Sequence, residues 1–223
     1  MAFQARPGIE AAVKGASITL CVAALLSACG GTPPAPDWQS NASVALKNFE
    51  TAYLKGDTRV AESEFARARA EVASTGRADL VARAELVRCA AQVASLAFDD
   101  CPGFAALAAD AHASERAYAA YISGRWQGLN ADLLPVQHRA VVGGGTLPVD
   151  PLARLVAAGA LLRAGRIDPA GISSASETAS ANGWRRPLLA WLGVQEKRAA
   201  EAGDGEAASR VRRRMELITK GGN

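Results

Sequence analysis

The sequence predicts an all-α protein built from helical hairpins, and three observations support this. Alanine, the best helix former, accounts for 50 of the 223 residues. From Trp38 onward, apolar residues recur at intervals of three and four positions, the period of an amphipathic helix, and no segment shows the alternation expected of a strand. Glycines next to charged residues separate these stretches, at points where helices are expected to end.

The first three predicted helices follow one another in the N-terminal half of the chain. Apolar side chains share one helical face over residues 42–53, again over 61–72, and again over 80–94. Gly56 lies in the turn after the first stretch, and Gly76 is suited to the end of the second, because glycine readily adopts the left-handed conformation that terminates many helices. These stretches predict three helices joined by short turns.

A fourth helix is predicted to begin at residues 100–102 and to run through Tyr121, because apolar residues continue at helical spacing. Pro135 is expected to end or kink the helix around Leu133, since proline lacks the amide hydrogen that a helix interior needs. The glycine-rich segment 142–149 then interrupts the helical pattern, as a hinge between two halves or as a long surface loop.

The C-terminal part carries clear signals for where helices start and stop. Asp150 and Asp168 each precede a proline, an arrangement in which aspartate caps the helix and the missing N–H of proline costs nothing. Gly165, Gly183 and Gly203 fall where helices are expected to stop. Further helices are therefore predicted between these signals.

The turns and their flanking helices repeat along the chain. Each unit has an apolar helix, a turn of glycine and a charged residue, and a second helix with small and large residues at spaced positions. These units resemble the tetratricopeptide (TPR) repeat, which residues 52–68 match best. The glycines of the four repeated turns, at positions 56, 124, 165 and 203, are 68, 41 and 38 residues apart. The TPR period is 34 residues, so the array is degenerate.

The TPR resemblance implies one domain over residues 38–223, in which antiparallel helical hairpins stack as an α-solenoid and bury each other's apolar faces. Alanine and glycine at crossing points would let the helices approach closely. The alternative is an irregular helical bundle with glycine turns, and the sequence leaves both architectures open.

The N-terminus predicts an export signal and no part of the fold. Arg6 and Lys14 precede an uncharged apolar stretch over residues 16–28, which is too short to span a bilayer core of about 30 Å. A basic lead followed by a short apolar run is typical of a secretory signal peptide, here residues 1–28. Residues 29–37 are rich in glycine and proline, as expected of a flexible linker.

Residues 26–29, Leu-Ser-Ala-Cys, resemble the lipobox of bacterial lipoproteins. The resemblance implies cleavage between Ala28 and Cys29 and attachment of lipid to Cys29, which would anchor the body to a membrane. In that family the residue after the cysteine influences sorting, and Gly30 in place of aspartate implies the outer membrane, with the body facing the periplasm. The alternatives are the periplasmic face of the inner membrane and an ordinary signal peptide with an incidental cysteine.

The four cysteines have different expected fates. Cys21 leaves with the signal peptide, and Cys29 carries the lipid. In an oxidising compartment, Cys89 and Cys101 are predicted to form one disulfide, worth about 3 kcal/mol in the chain-entropy model. A zinc site would need further ligands at metal spacing, and a thioredoxin-like pair would be C-x-x-C, so neither alternative has its motif.

Little in the sequence indicates catalysis. His112 and His138 are expected to be lone surface histidines, and neither has a metal-binding or catalytic partner at a recognisable spacing. Asp99 and Asp100 could suggest glycoside cleavage, which needs two carboxylates across a cleft, but capping of a helix start explains their position. We therefore expect no enzyme activity, no metal and no cofactor beyond the covalent lipid.

An arginine-rich surface is the remaining candidate for binding. The formal net charge is +3, or +2 without residues 1–28, too near zero for an obvious nucleic-acid partner. The arginines could contact anionic lipid, cell-wall carboxylates or an acidic partner, or simply solvate a terminal helix that caps the array. Trp191, which follows Arg185 and Arg186 in the sequence, is expected to pack in the core and not to join this surface. The candidate interaction patch comprises Arg185, Arg186, Arg210, Arg212, Arg213 and Arg214.

The sequence therefore predicts a non-enzymatic, outer-membrane-anchored periplasmic lipoprotein that acts as a protein-interaction scaffold, assembly factor or adaptor in the cell envelope. Its expected partners are the membrane, through the lipid anchor, and unidentified envelope proteins. Two alternatives belong to other classes. One is a lipoprotein that binds or cleaves peptidoglycan with carboxylates, and the other is a carrier that holds a small ligand in a groove between helix pairs.

Overall fold

The computed structural model describes residues 36–220, and within this range the protein is all-α, as predicted. The predicted signal peptide, Cys29 and almost all of the predicted linker lie outside the described residues. The described helices are α1 (Asp37–Lys55), α2 (Thr58–Ala73), α3 (Ala78–Ala94), α4 (Pro102–Ala105), α5 (Ala113–Ile122), a 3-10 helix (Ala131–Leu133), α6 (Val136–Val142), α7 (Pro151–Arg163), α8 (Pro169–Ala181), α9 (Arg185–Glu201) and α10 (Gly205–Lys220). None of these helices is both long and apolar enough to cross a membrane.

Six helix ends share one turn chemistry. Their glycines have φ angles between +64° and +93°, in the left-handed region that glycine adopts without strain, and they are Gly56, Gly124, Gly144, Gly165, Gly183 and Gly203. At each turn the amide of the following residue donates to the carbonyl oxygen five residues earlier, over 2.8 to 3.0 Å. This bond satisfies a carbonyl that the end of the helix leaves unpaired. The glycine turns predicted from the sequence are confirmed.

Aspartate caps begin the helices that the sequence placed after Asp150 and Asp168. The Asp150 carboxylate accepts from the amide of Ala153 at 2.7 Å, and Asp168 accepts from the amide of Gly171 at 2.7 Å. Each cap satisfies one of the amides that the first turn of a helix leaves without a partner. The predicted starts of α7 and α8 are therefore confirmed.

The single helix predicted from residues 100–102 through Tyr121 is wrong. The chain forms the four-residue helix α4, leaves helical geometry, and begins α5 at Ala113. An unbroken helix of 20 residues would run straight for about 30 Å. The break instead lets Phe104 of α4 and Tyr121 of α5 enter the same core cluster, and this shared burial overrides the helix propensity of the alanine-rich stretch between them.

The structure brings the sulfur atoms of Cys89 and Cys101 to disulfide distance, as the sequence predicts. Their Cα atoms are 5.8 Å apart, a separation typical of disulfides. Cys89 lies in α3 and Cys101 directly precedes α4, so the bond ties the short helix α4 to α3.

The main core cluster forms around α3 and α7 and includes helices from both halves of the chain. Trp191 of α9 is fully buried, as expected, and its indole N–H donates to the carbonyl oxygen of Ala94 at 3.1 Å. Gly159 of α7 lies so close to Val93 of α3 that a Cβ atom on Gly159 would overlap the Val93 carbonyl oxygen. The two central helices therefore meet almost backbone to backbone.

Helix α9 also packs against α1, which lies at the opposite end of the described chain. The Nε atom of Arg186 donates to the carbonyl oxygen of Tyr53, and its Nη2 atom donates to Thr58 Oγ1, both at 2.7 Å. The guanidinium carbon lies 4.3 Å from the centroid of the Tyr53 ring, a cation–π distance. Sequential hairpins are typical of a repeat array, whereas this contact between distant helices is typical of a bundle.

Candidate functional site

A cleft of about 550 Å³, here called the central cleft, opens between α3, α5, α6 and α7, with one side chain from α1. This volume is in the range of small-molecule sites. Its walls are largely apolar, formed by Leu86, Val87, Ala90, Tyr118, Leu133, Leu134, Pro135, Leu152, Ala153 and Val156. The polar and charged groups in its lining are Glu50, Arg83, Ser114, Glu115, Gln137, His138 and Asp150.

Arg83 and Glu115 form an ion pair in the lining. Glu115 is only 6% exposed, and its Oε1 atom accepts from Arg83 Nη2 at 2.8 Å and from Arg83 Nε at 3.2 Å. Burial tends to raise the pKa of Glu115, but hydrogen bonds from Arg83, a backbone amide and Ser114, together with the charge of Arg83, outweigh burial, so this pKa lies below its ordinary value. The pair is internally neutralised, and Glu115 stays ionised beside the cleft.

Glu50 and Asp150 are two further carboxylates in the lining, without such a partner. Partial burial raises the pKa of Glu50, and the negative charge of Asp150 raises it further. Asp150 is exposed and uses its Oδ1 atom to cap α7. Among the described residues neither carboxylate takes part in an ion pair, so this side of the cleft holds uncompensated negative charge.

His138 is buried, so the prediction of a surface histidine is wrong at this position. Its side chain is 2% exposed and lines the cleft, and its ring centroid lies 5.0 Å from that of Tyr121 and 5.6 Å from that of Tyr118. The Nδ1 atom has no hydrogen-bond partner among the described residues, and neither has the Tyr121 hydroxyl. A seven-residue helix shows no sequence period that could have revealed this burial.

Burial lowers the pKa of His138 to about 4, even though the charge of Asp150 acts in the opposite direction. The imidazole is therefore neutral at pH 7. Buried polar atoms in proteins almost always have partners. At the cleft, therefore, the described residues do not supply the hydrogen bond that the Nδ1 atom of His138 needs.

Acidification should destabilise the fold through His138. An unfolded histidine titrates near pH 6.5, so below that pH the unfolded chain gains a proton that the folded chain, with a pKa of about 4, does not accept. The stability that depends on a neutral His138 is fully present above about pH 6.5 and is lost as pH falls towards 4. The total loss of unfolding free energy is about 3 kcal/mol. We expect urea unfolding between pH 7 and pH 4 to show this loss.

The matched variants for this measurement are His138→Gln and His112→Gln. The first should flatten the pH dependence between 7 and 4 relative to the unchanged chain, and the second should leave it intact. Equal pH dependence in the unchanged chain and His138→Gln would contradict the assignment.

His112 is exposed, as predicted, but it lies at the N-terminal boundary of α5 and not within a helix. Its Nε2 atom lies 3.4 Å from a carboxylate oxygen of Asp79. This contact is on the surface, outside the lining of the central cleft. The two histidines therefore have different environments and are not brought together.

Asp99 and Asp100 do not form a pair of carboxylates across a cleft. Asp99 accepts from the amide of Cys101 at 3.0 Å, and Asp100 lies 3.7 Å from Arg163. Cys101 is itself the N-cap of α4, and no side chain caps this helix, so the capping interpretation is wrong. Among the described residues, Cys89, Asp99 and Cys101 also place ligand atoms close enough to suit a metal ion. The disulfide occupies both sulfur atoms, however, and a metal would require thiolates.

The six arginines of the predicted patch are divided between two helices. Arg186 is held by its contacts with Tyr53 and Thr58, and Arg185 packs its guanidinium group over Gly56. The other four arginines lie on α10, where Arg212 pairs with Glu196 at 3.2 Å and Arg210 with Glu206 at 3.6 Å. Arg213 and Arg214 are exposed. The residues at the start of α9 thus serve internal packing, and the exposed basic surface belongs to α10.

The central cleft was not predicted from the sequence. Its polar and charged residues are spread from position 50 to position 150 and lie on four different helices and one loop. Only two local signals were available, the cap motif at Asp150 and the presence of a histidine at position 138, and neither indicates a cleft by itself. Comparison of the chain with protein-family models, with curated proteins and with solved structures finds no match.

Proposed function

We propose that this chain is a non-enzymatic periplasmic lipoprotein, anchored to the outer membrane through Cys29, whose helical body binds a small ligand in the central cleft. The observation that carries the binding role is His138, a buried polar side chain that lines the cleft and has an unpaired Nδ1 atom. The apolar walls support the proposal, because ligand sites combine apolar surface with a few polar groups. The lipobox resemblance supports the anchor.

Binding can be tested by nuclear magnetic resonance with a panel of neutral, cationic and anionic aromatic fragments. At least one fragment should shift the amide signals of residues in the cleft lining, such as Ala90 and Ala153. Val87→Phe should abolish these shifts because the larger ring fills the cleft, whereas Val60→Phe on the exposed side of α2 should not. A panel without any such fragment, or shifts that survive Val87→Phe, would show that the cleft is not a ligand site.

Replacing the lipobox cysteine should release the protein from the membrane. We expect Cys29→Ala to lose both palmitate labelling and sedimentation with membranes, since several acyl chains on this residue would supply the anchoring free energy. Cys21→Ala is the matched control and should keep both properties, because Cys21 lies within the predicted signal peptide. Palmitate labelling that persists in Cys29→Ala would contradict the anchor.

A scaffold or adaptor role is the second candidate function, favoured by the outer surface of α10. Only Ala208 of this helix is buried, and Arg213, Arg214 and the 73% exposed Leu217 face outward. Arginine beside an exposed apolar side chain is typical of interaction surfaces. Photo-crosslinking from position 217 should capture an envelope protein, and Arg213→Glu with Arg214→Glu should abolish that crosslink. A crosslink unaffected by charge reversal would remove this support.

The peptidoglycan-cleaving alternative has one structural argument in its favour, the presence of Glu50 and Asp150 in the lining of the same cleft. A glycosidase needs two carboxyl groups across a cleft. The non-enzymatic proposal expects no muropeptide release from purified sacculi. Release that is lost in Glu50→Gln but kept in Glu216→Gln would favour the enzyme instead.

A further inference from the structure

The charge and shape of the central cleft point to the chemical class of its ligand. We propose that the cleft recognises an amphipathic cation, that is, an amine or ammonium group carried on an apolar body. This inference rests on the proposed ligand-binding function and makes it specific. Three features of the cleft support this ligand class: the charge balance of the lining, the neutral imidazole of His138, and the apolar surface around the cleft.

The charge balance of the lining is negative. Three carboxylates and one guanidinium group line the cleft. Arg83 is already bound to Glu115 through two hydrogen bonds. Glu50 and Asp150 remain. Burial raises the pKa of Glu50, and the negative charge of Asp150 raises it further. A cation between these two carboxylates would relieve the repulsion between their charges, whereas an anion would add to it.

Asp150 keeps a carboxylate oxygen for a ligand even though it caps α7. The cap uses Oδ1, and no hydrogen bond within the described residues engages Oδ2. The charge of Asp150 acts on both Glu50 and His138, so the three groups share one region of the cleft. The Tyr118 ring also lines the cleft and can contribute a cation–π contact to an ammonium group.

His138 also favours a cationic ligand over an anionic one. A protonated imidazole would attract an anion, but burial keeps this imidazole neutral. A neutral imidazole carries one nitrogen that accepts a hydrogen bond, as an N–H of an amine requires. The remaining cation in the lining, Arg83, is committed to Glu115. The cleft therefore offers acceptors and negative charge to a ligand, and few groups that would favour an anion.

The apolar part of the ligand is expected to lie on the walls. Leu86, Leu152 and Val156 line the cleft from α3 and α7. At Leu133, which is 39% exposed, the apolar lining continues to the surface of the protein. Burial of an apolar body against these side chains supplies affinity, while the carboxylates set the orientation.

The test compares three probes of nearly equal shape and different charge: 4-phenylbutylamine, 4-phenylbutanol and 4-phenylbutanoate. Their affinities are measured by calorimetry at pH 7 on the full chain as cells process it, in lipid nanodiscs, with the Val87→Phe protein as the blank. The amine should bind about tenfold more tightly than the alcohol, as one favourable charge interaction allows. The carboxylate should bind more weakly than the alcohol.

Variants assign this preference to the two carboxylates. Glu50→Gln and Asp150→Asn should each weaken amine binding about threefold, and the double variant should weaken it about tenfold, while alcohol binding should change less than about twofold in every case. Asparagine also caps helices, so Asp150→Asn retains the start of α7. Asp168→Asn, which changes the equivalent cap of α8 outside the central cleft, is the matched control and should bind the amine normally.

Each contrary outcome is informative. Tighter or equal binding of the alcohol or the carboxylate overturns the preference for a cation but leaves the ligand-binding function standing. An amine preference that is unchanged in the double carboxylate variant also overturns the inference. If none of the three probes binds, the inference is wrong, and the fragment panel separately decides whether the cleft binds any ligand.

Discussion

Trp191→Ala should lose about 3–5 kcal/mol of unfolding free energy, the largest single loss that we expect in this fold. The Trp191 side chain is fully buried and packs in the main core cluster, so its removal leaves a large cavity. It also removes the indole donor bound to the carbonyl oxygen of Ala94 at 3.1 Å. Urea unfolding followed by circular dichroism at 222 nm would measure the loss without depending on tryptophan fluorescence.

Two variants separate packing from hydrogen bonding at this site. Trp191→Phe keeps most of the volume but leaves the Ala94 carbonyl oxygen without its donor, which should cost about 1–3 kcal/mol. Trp38→Ala removes a partly buried indole near the start of α1 and should cost much less than Trp191→Ala. Similar losses for the Trp191 and Trp38 alanine variants would mean that Trp191 does not anchor the core.

Gly159→Ala should destabilise the protein by about 3 kcal/mol, although alanine is favoured over glycine in a helix interior by about 1 kcal/mol. The reason is the close approach of α3 and α7. A Cβ atom at Gly159 would overlap both the carbonyl oxygen and a methyl group of Val93. The backbone of α3 would have to shift, and a close-packed core resists such a shift.

Gly193→Ala is the matched control for the α3–α7 contact. Gly193 also lies in the interior of a helix, α9, but no atom lies within 4 Å of the position that its Cβ would occupy. This substitution should therefore stabilise the protein by about 0.5–1 kcal/mol. Thermal unfolding of both variants should show shifts of opposite sign, and a stabilised Gly159→Ala would mean that the helices are not held this closely.

Local chemistry made most of the fold predictable. The aspartate caps at Asp150 and Asp168 and the turn glycines such as Gly165 act within a few residues, so their signals survive in a single sequence. The predicted helix through Tyr121 failed because its break is decided by distant packing. Helical spacing continues through the break, and only the shared burial of Phe104 and Tyr121 reveals why the chain turns there.

The candidate site was much less predictable than the fold. Glu50, Arg83 and His138 are far apart in the chain and meet only through the packing of α1, α3 and α6. The burial of His138 depends on Tyr118 and Tyr121 from another helix, so its depressed pKa has no counterpart in the local sequence. The arginine pattern was visible, but it could not distinguish Arg186, which is held internally, from Arg213, which is exposed.

The contact between Arg186 and Tyr53 has a consequence for the order in which the chain can fold. The two residues are 133 positions apart, so α1 and α2 can form their hairpin early but cannot reach their final position until α9 is available. Until α9 packs, the face of the first hairpin that later meets it is uncovered. Non-local contacts of this kind also slow folding relative to a purely sequential array.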